Sequence, residues 1–363
     1  MFGMAFLKNS FRSHRYVTSV HFSLMTVPPP NDVTPPMPQL ITIVIRARNE
    51  AKLIGVCLRE IFGQRCDWPF EVIVIDSGST DDTVRIAESH SRVRVHQISP
   101  DEFNYGGTLN LGVELAKGEF IVALSAHCVP TGSEWLQSLV RPLVQNPRVA
   151  GTFGKQIPWP HCEFIEKCTL ASTFPDTPFT QQGAQPHDGV LSPVFSNANS
   201  CFRGELAREN LFKLLPHSED RIWAFQMLNL GHEIAYVPEA SVFHSHNRGV
   251  IGYYRLGYSL GMVRPVLGLP PLSLSDLRCS SIKQVFWIFD SWMKQANDAG
   301  YRGFRKHIVS LHAVARQVAK LVGMRNGARQ VMEPIRLEGI GVNDPVAPLE
   351  FHKIWDATNS AVS

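Results

Sequence analysis

Short apolar, β-branched runs recur through the first part of the chain with helix-period stretches between them, and this alternation constrains the fold more than any other feature. Ile41-Thr42-Ile43-Val44-Ile45, Val72-Ile73-Val74-Ile75 and Phe120-Ile121-Val122-Ala123-Leu124 are too short for helices and apolar enough for strands buried on both faces. Val93–His96 reads as a further strand. A helix is expected from about Glu50 to Phe62, where Leu53, Val56, Cys57, Ile61 and Phe62 fall near helical spacing. Another opens at Ser79-Thr80-Asp81-Asp82, whose short polar side chains suit free amides. Thr108–Ala116 and Glu134–Val144 read as two more helices, the latter leading into a strand at Val149–Phe153. Such alternation predicts an α/β fold, a mostly parallel sheet flanked by helices and joined by right-handed crossovers.

In an open α/β sheet, ligands bind beyond the carboxyl ends of the strands. The segments there are Arg46-Ala47-Arg48-Asn49-Glu50, Asp76-Ser77-Gly78-Ser79 and Ser125-Ala126-His127-Cys128. The first is not a glycine-rich dinucleotide turn, and GxxxxGK[ST] is absent, which disfavours a nicotinamide-dependent enzyme and a P-loop NTPase. Apolar residues at 44% against 18% charged exclude a disordered chain and allow a sizeable core. A net charge of +3 is too small to signal nucleic-acid binding. No uncharged apolar run reaches the roughly 18 residues of a membrane span. The seven cysteines are odd in number and never form CxxC, which argues against a disulfide framework or structural zinc and favours a reducing compartment.

Residues 1–39 read as a segment outside the fold. Lys8, Arg12 and Arg15 precede the first acid, Asp32, and prolines at 28–30, 35, 36 and 38 make an extended linker. The segment is either a targeting peptide or a stretch ahead of a start at Met25. Residues 154–216, rich in Pro, Gln, Ser and Phe, read as a long, partly irregular region. A helix starts near His217-Ser218-Glu219-Asp220, and short strands are expected at Ile234–Val237 and Ser241–Phe243. Between Ser291 and Gln330, eight Lys or Arg residues meet one acid, Asp298, and Leu311, Val314, Val318, Leu321 and Val322 keep helical spacing. That basic helical extension is either a solvated face or a contact for anionic lipid.

Several side chains at these positions suit chemistry. Asp76 either accepts hydrogen bonds from a nucleobase imide or ribose hydroxyl, or braces its turn. Arg46 and Arg48 carry guanidinium forks that suit a diphosphate; otherwise they are a solvated pair beside Glu50. Glu219 and Asp220 sit at a helix start, where a carboxylate has a depressed pKa and is ionised. An ionised carboxylate in a cleft takes a proton from an attacking hydroxyl, while simple capping accounts for one of the two acids equally well. Alternation points His244 and His246 to one side, and with His127 and a nearby acid they make a candidate site for a divalent cation.

Together these stretches resemble the family 2 glycosyltransferases, whose fold is GT-A. The resemblance rests on ITIVIRARNEA (41–51), EVIVIDSGSTDDT (71–83), NYGGTLNLGVELAKGEFIVALSAH (104–127), SEDRIWAFQMLNLGHEIAYVPEA (218–240) and VFHSHN (242–247). NDAGYRGF in the tail is similar to the rhamnosyltransferase-like branch. The resemblance implies transfer of a sugar, rhamnose foremost, from a nucleotide-diphosphate donor to a hydroxyl of a glycan or lipid-linked acceptor, with inversion. It implies donor binding by Arg46, Arg48, Glu50, Asp76, Ser77 and Ser125, with Asp76 at the base. Asp220 matches the general base, with Glu219 its paired acid. His244 falls near a late histidine that helps bind metal or diphosphate, with His246 its rival. The implied donors are dTDP-rhamnose or a UDP- or GDP-sugar. The implied location is cytoplasmic, with peripheral contact at the inner membrane face. The implied division is a nucleotide-sugar-binding half at 40–155, an acceptor and catalytic half at 156–260, and a basic helical extension at 261–363.

The chain departs from the family at the metal motif. Where Asp-x-Asp is usual it has Ser125-Ala126-His127, so a hydroxyl and an imidazole replace two anionic oxygens. Mg2+ and Mn2+ are hard cations that prefer oxygen, so metal affinity should fall unless donor phosphates supply the coordination. Leu109 also stands where the family commonly has arginine. Either Arg46, Arg48 and the histidines stabilise the leaving diphosphate, or the chain is a pseudo-glycosyltransferase that binds nucleotide-sugar in a regulatory or scaffolding role.

Overall fold

In the computed structural model of the chain, residues 40–183, 193–266 and 282–330 are described. The Pro-rich segment 1–39 and the end of the extension, 331–363, lie outside the described residues. The first strands are β1 (Ile41–Ala47), β2 (Phe70–Asp76), β3 (Val93–Gln97) and β4 (Phe120–Ser125). They run parallel in the order β3-β2-β1-β4. Helices α1 (Ile54–Phe62), α2 (Thr83–Glu88) and α3 (Tyr105–Leu115) connect them. Alternate residues serve opposite faces. Ile41, Ile43, Ile45, Val72 and Val122 pack with α1 and with α4 (Trp135–Gln145). Val44, Ile73, Ile75, Ile121 and Ala123 pack on the other side with Leu109 and Val113 of α3. Burial on both faces explains why these strands read as continuous apolar runs.

Beyond β4 the sheet stops being parallel. Strand β8 (Asn199–Arg203) inserts antiparallel between β4 and β6 (Val149–Ile157). Strand β6 then pairs in parallel with β9 (Glu233–Phe243). The short strands β5 (Val129–Pro130) and β7 (Phe179–Gln182) both pair antiparallel with β9, which completes a mixed nine-stranded sheet. The stretch expected to be irregular thus carries the end of β6, α5 (Phe164–Thr173), β7, β8 and α6 (Gly204–Glu209). Helix α7 (Glu219–Asn229) precedes β9 and covers the face that α3 covers. The two short strands expected at 234–237 and 241–243 form one strand. Pro238 lies between them, and the pairing with β6 shifts register from Gly154↔Val237 to Gln156↔Val242. A proline has no amide to donate, so it falls where the ladder is interrupted.

Two helices begin away from their expected positions, each for a polar reason. Helix α1 starts at Ile54 because Asn49 adopts φ 54° and the next amides bond outward. The Glu50 amide donates to Thr83 Oγ1 at 2.7 Å and the Ala51 amide to Asp81 Oδ2 at 3.2 Å. Side chains of the β2–α2 loop compete here with helix formation. Helix α3 starts early because Asn104 caps it, its Oδ1 accepting from the amides of Gly106 and Gly107 at 3.0 and 3.1 Å.

The extension consists of α8 (Val250–Val266), α9 (Ile282–Asp298) and α10 (Gly303–Gln330). Helices α8 and α10 meet backbone to backbone. A Cβ on Gly257 would fall 1.9 Å from the Lys320 carbonyl oxygen, and one on Gly323 would fall 2.1 Å from that of Tyr254. Phe164 of α5 packs with Trp292 and Tyr301, which joins the extension to the sheet domain. Among the described residues, no helix is long and apolar enough to cross a membrane.

The β6–β9 junction depends on Gly154. A Cβ there would lie 1.9 Å from the Ala240 carbonyl oxygen and 2.3 Å from Asn199 Nδ2. Asn199 is fully buried, donates to that same carbonyl at 2.8 Å and accepts from Trp135 Nε1 at 2.9 Å. Gly154→Ala is expected to cost roughly 2–4 kcal/mol, read as a lower urea midpoint at unchanged slope. Gly132→Ala, where a Cβ meets nothing within 4 Å, should leave the midpoint in place.

Candidate active site

All the loops singled out by the strand pattern end at one edge of the sheet. Ala47 is in register with Asp76, and Arg46 with Ser125. At the first of these junctions Asp76 is fully buried. Its Oδ1 accepts from the amides of Gly78 and Ser79 at 3.0 and 2.9 Å, and its Oδ2 takes the Ser79 hydroxyl. The Ser77 amide and hydroxyl both donate to the Ala47 carbonyl, at 3.0 and 3.2 Å. Asp76 and Ser77 therefore spend their polar atoms on the turn itself, and no oxygen of Asp76 faces solvent. Asn49 Oδ1 accepts from the Thr80 amide at 2.8 Å, which ties the first two loops together. Arg48 is exposed on that rim, and Ser125 is half-buried beside Arg46.

A histidine cluster lies where β4 and β9 end. His127 Nδ1 meets Glu50 Oε1 at 2.8 Å, and its Nε2 meets His244 Nε2 at 3.0 Å. On its far side His244 Nδ1 meets Gln156 Oε1 at 2.7 Å, while Gln156 Nε2 donates to Ser196 Oγ at 2.8 Å. These acceptors assign the proton of each imidazole to Nδ1. Both Nε2 lone pairs then face each other, so the gap between them calls for a proton or a cation. Burial holds His244 neutral and pushes His246 down to about 3, with the Arg248 charge adding to the shift at His246. The ligand atoms of His127, His244 and His246 all lie within 4.8 Å of one another.

That donor set fits a divalent cation. Neutral imidazoles are the form that binds metal, and Glu50 and Gln156 orient two of them from behind. Nitrogen ligands around a tetrahedral ion stand about 3.3 Å apart at ordinary metal–nitrogen lengths, so His127 and His244 need to spread by only a few tenths of an ångström. Three nitrogens favour borderline ions such as Zn2+ over Mg2+.

The second cluster joins β1 to α7. Arg46 donates to the Tyr105 carbonyl at 3.0 Å and pairs with Glu219 at 3.4 Å, with both side chains largely buried. Asp220 accepts from the Arg221 amide at 2.7 Å and, through its other oxygen, from the Asn197 amide at 3.2 Å. The expected depression of its pKa does not occur. Burial first, and then the neighbouring Glu219 carboxylate, push Asp220 up to about 7, against the pull of those two amides. Desolvation here exceeds the favourable field of the helix start. Ser218, just ahead of α7, has φ 67°, an uncommon conformation for serine that turns the chain sharply into the helix.

Thus Glu50, His127, His244 and His246 form one group, and Arg46, Glu219 and Asp220 another, on the same edge. Leu109 is fully buried in the core with α3, so the arginine the family commonly has there is replaced by packing. Sequence reading missed Gln156, Ser196 and Asn197. Each is an ordinary polar residue in a stretch without periodic pattern, and each matters only through a partner dozens of residues away.

Residues 42–161 match the family model described as glycosyl transferase family 2. Over 193 residues, 51% of this chain and 60% of the relative, the chain is 32% identical to the O-antigen chain rhamnosyltransferase WbaN of Salmonella anatum. Over 212 residues, 57% of this chain and 67% of the relative, it is 29% identical to the O-antigen chain rhamnosyltransferase RfbN of Salmonella typhimurium. The chain thus spans less than two thirds of the first relative's length. Among solved structures, the mannosyltransferase PcManGT from Pyrobaculum calidifontis in complex with GDP-Man and Mn2+ superposes with a TM-score of 0.51 at 20% identity, covering 81% of this chain and 91% of that one. That likeness shows the GT-A fold.

Calorimetric titration of Zn2+ and Mn2+ into the full chain should show one site that His244→Ala abolishes. Glu50→Gln, which removes only the acceptor behind His127, should weaken it about 10–100-fold. Equal affinity in all three proteins would mean the ion binds elsewhere.

Proposed function

We propose, from the match of residues 42–161 to the glycosyl transferase family 2 model, that the chain is an inverting glycosyltransferase. It would move a sugar from a nucleotide-diphosphate donor to a hydroxyl of a glycan or lipid-linked acceptor. The observation that carries this reading is Asp220. A carboxylate raised to about 7 is half-ionised near neutral pH and basic enough to take a proton from a hydroxyl, which is the condition for an efficient general base. In the reaction, the acceptor oxygen bonds to the anomeric carbon as the bond to the diphosphate oxygen breaks. The hydroxyl proton passes to Asp220, and the electron pair leaves with the nucleoside diphosphate.

The remaining side chains take supporting parts. Glu219 holds Arg46 in place and keeps the Asp220 pKa up by its own charge. A divalent cation on His127, His244 and His246 would set positive charge against the leaving diphosphate. Asp76 and Ser77 would shape the turn on which the base rests, while Arg48 and Ser125 line the donor side. Residues 40–155 would form the donor half, 156–260 the acceptor and catalytic half, and 261–363 the basic extension. The names of the two Salmonella relatives favour rhamnose, and so dTDP-rhamnose over UDP- or GDP-sugars, in polysaccharide synthesis.

The extension also supports a cytoplasmic location at the inner membrane face. Helix α10 contains no acid, and its outer side exposes Phe304 at 80%, Ile308 at 38% and Leu311 at 57%. These three lie at helical spacing beside Arg305 and Lys306, the pattern of a helix lying in an anionic lipid interface.

Turnover with a nucleotide-sugar panel tests the reaction. Transfer should rise with pH through about 7, because Asp220 must be ionised to act. Asp220→Asn should lower kcat about 10²–10⁴-fold with donor binding kept. Glu219→Gln should move the acid limb to lower pH by removing the like charge. Donor binding without transfer to any acceptor would instead give the chain a regulatory or scaffolding role. The membrane contact is checked by sedimentation with phosphatidylglycerol vesicles. Phe304→Asp with Leu311→Asp should release the protein, and undiminished sedimentation would sink the contact.

A further inference from the structure

The turn Ser196-Asn197-Ala198, which leads into β8, is bonded to both clusters of the candidate site. Ser196 Oγ accepts from Gln156 Nε2 at 2.8 Å, and Gln156 Oε1 meets His244 Nδ1 at 2.7 Å. One residue on, the Asn197 amide donates to Asp220 Oδ2 at 3.2 Å, and the Asn197 carbonyl accepts from Arg46 at 3.5 Å. The Ala198 carbonyl takes the Ser125 amide at 3.3 Å, where β4 ends. A single short stretch of chain thus fixes the histidines relative to Asp220.

One side-chain group in that turn is unspent. Asn197 is 1% exposed and its Oδ1 accepts from the Ser200 hydroxyl at 3.0 Å, but its Nδ2 has no partner among the described residues. A buried donor left without an acceptor costs about 1–3 kcal/mol, and such an orphan calls for a ligand or an ordered water to complete it. Covalent geometry keeps Nδ2 within about 5 Å of its own backbone nitrogen. Asp220 Oδ2 is 3.2 Å from that nitrogen, so the orphan stands within reach of a sugar ring seated against the base. The neighbour best placed to yield to a ligand is Arg46, whose bonds to the Asn197 carbonyl and to Glu219 are long, at 3.5 and 3.4 Å.

In an in-line displacement the transferred sugar lies between the leaving diphosphate and the attacking hydroxyl. In the proposed reaction those two groups sit at the histidine cluster and at Asp220, the two places that the turn joins. We propose that Asn197 reads the transferred sugar, its side-chain amide donating to one of the ring hydroxyls. The assignment rests on the glycosyltransferase reading and adds a source of selectivity to it. A sugar without that hydroxyl, or with it on the opposite face, leaves the buried amide unpaired and is rejected for that reason.

The test is calorimetric titration of the full chain with dTDP-rhamnose, UDP- and GDP-sugars and their parent nucleoside diphosphates. Asn197→Leu combined with Ser200→Ala makes both side chains of the bonded pair apolar and touches no backbone bond of the turn. Its Tm should equal or exceed the wild-type value, because a buried orphan is gone. It should bind the preferred sugar nucleotide about tenfold more weakly and the parent diphosphate equally well. Ser200→Ala alone keeps the Asn197 amide and should bind the sugar nucleotide like the wild type. Among monodeoxy analogues of the preferred sugar, one should cost the wild type about tenfold and the double variant nothing. Equal loss of sugar nucleotide and diphosphate, no loss of either, or the same loss in Ser200→Ala overturns the assignment. So does a change confined to the acceptor KM, or a wild type indifferent to every monodeoxy analogue. Where the wild type still transfers sugar in those cases, the glycosyltransferase reading stands. A wild type that binds no nucleotide removes that reading, and the assignment with it.

Discussion

Burial of the central strands on both faces is the constraint on which the rest depends. Strands β1, β2 and β4 place apolar side chains alternately into two cores, so along their length they have no room for a working polar group. The first positions where polarity is tolerated are the strand ends, and there the chain changes character within one or two residues. Leu124 is followed by Ser125 and His127, Ile75 by Asp76, and Ile45 by Arg46. Parallel alignment of these strands brings all three changes to one edge. The site is thus a consequence of how the core ends, with the chemistry set by what each loop carries.

The same burial acts in opposite directions on acids and bases. It keeps His244 and His246 neutral, the form that can bind a metal. It also raises Asp220 into the range of a base for neutral solution. A single dense environment therefore sets the charge state of both clusters.

Much of this was legible from periodicity. The parallel strands, the helices between them and the loops at their ends follow from local patterns, as does the pairing of His244 and His246 by alternation. What the pattern hid was long-range. Strand β8 reads like a loop because Asn199 and Ser200 are polar, yet both are buried, with Asn199 bonded to Trp135 and Ala240. The role of Gln156 depends on a histidine 88 positions away. The Asp220 pKa was misjudged because the helix-start field is visible in sequence, whereas desolvation and the Glu219 neighbour act only in the folded packing. Asp76 at its strand end leaves ligand binding and bracing both open, and its hydrogen bonds to Gly78 and Ser79 supply the bracing.

The extension reads from composition as a basic appendage, but its contacts make it part of the site's support. Gly257 and Gly261 on α8 let α10 approach to backbone contact, at Lys320 and Met324. Larger residues on α8 would hold α10 away from it. Helix α10 therefore presents two different sides. Its inner face carries Arg316 to Glu163 of the sheet domain, while its outer face carries Phe304, Ile308 and Leu311 to solvent.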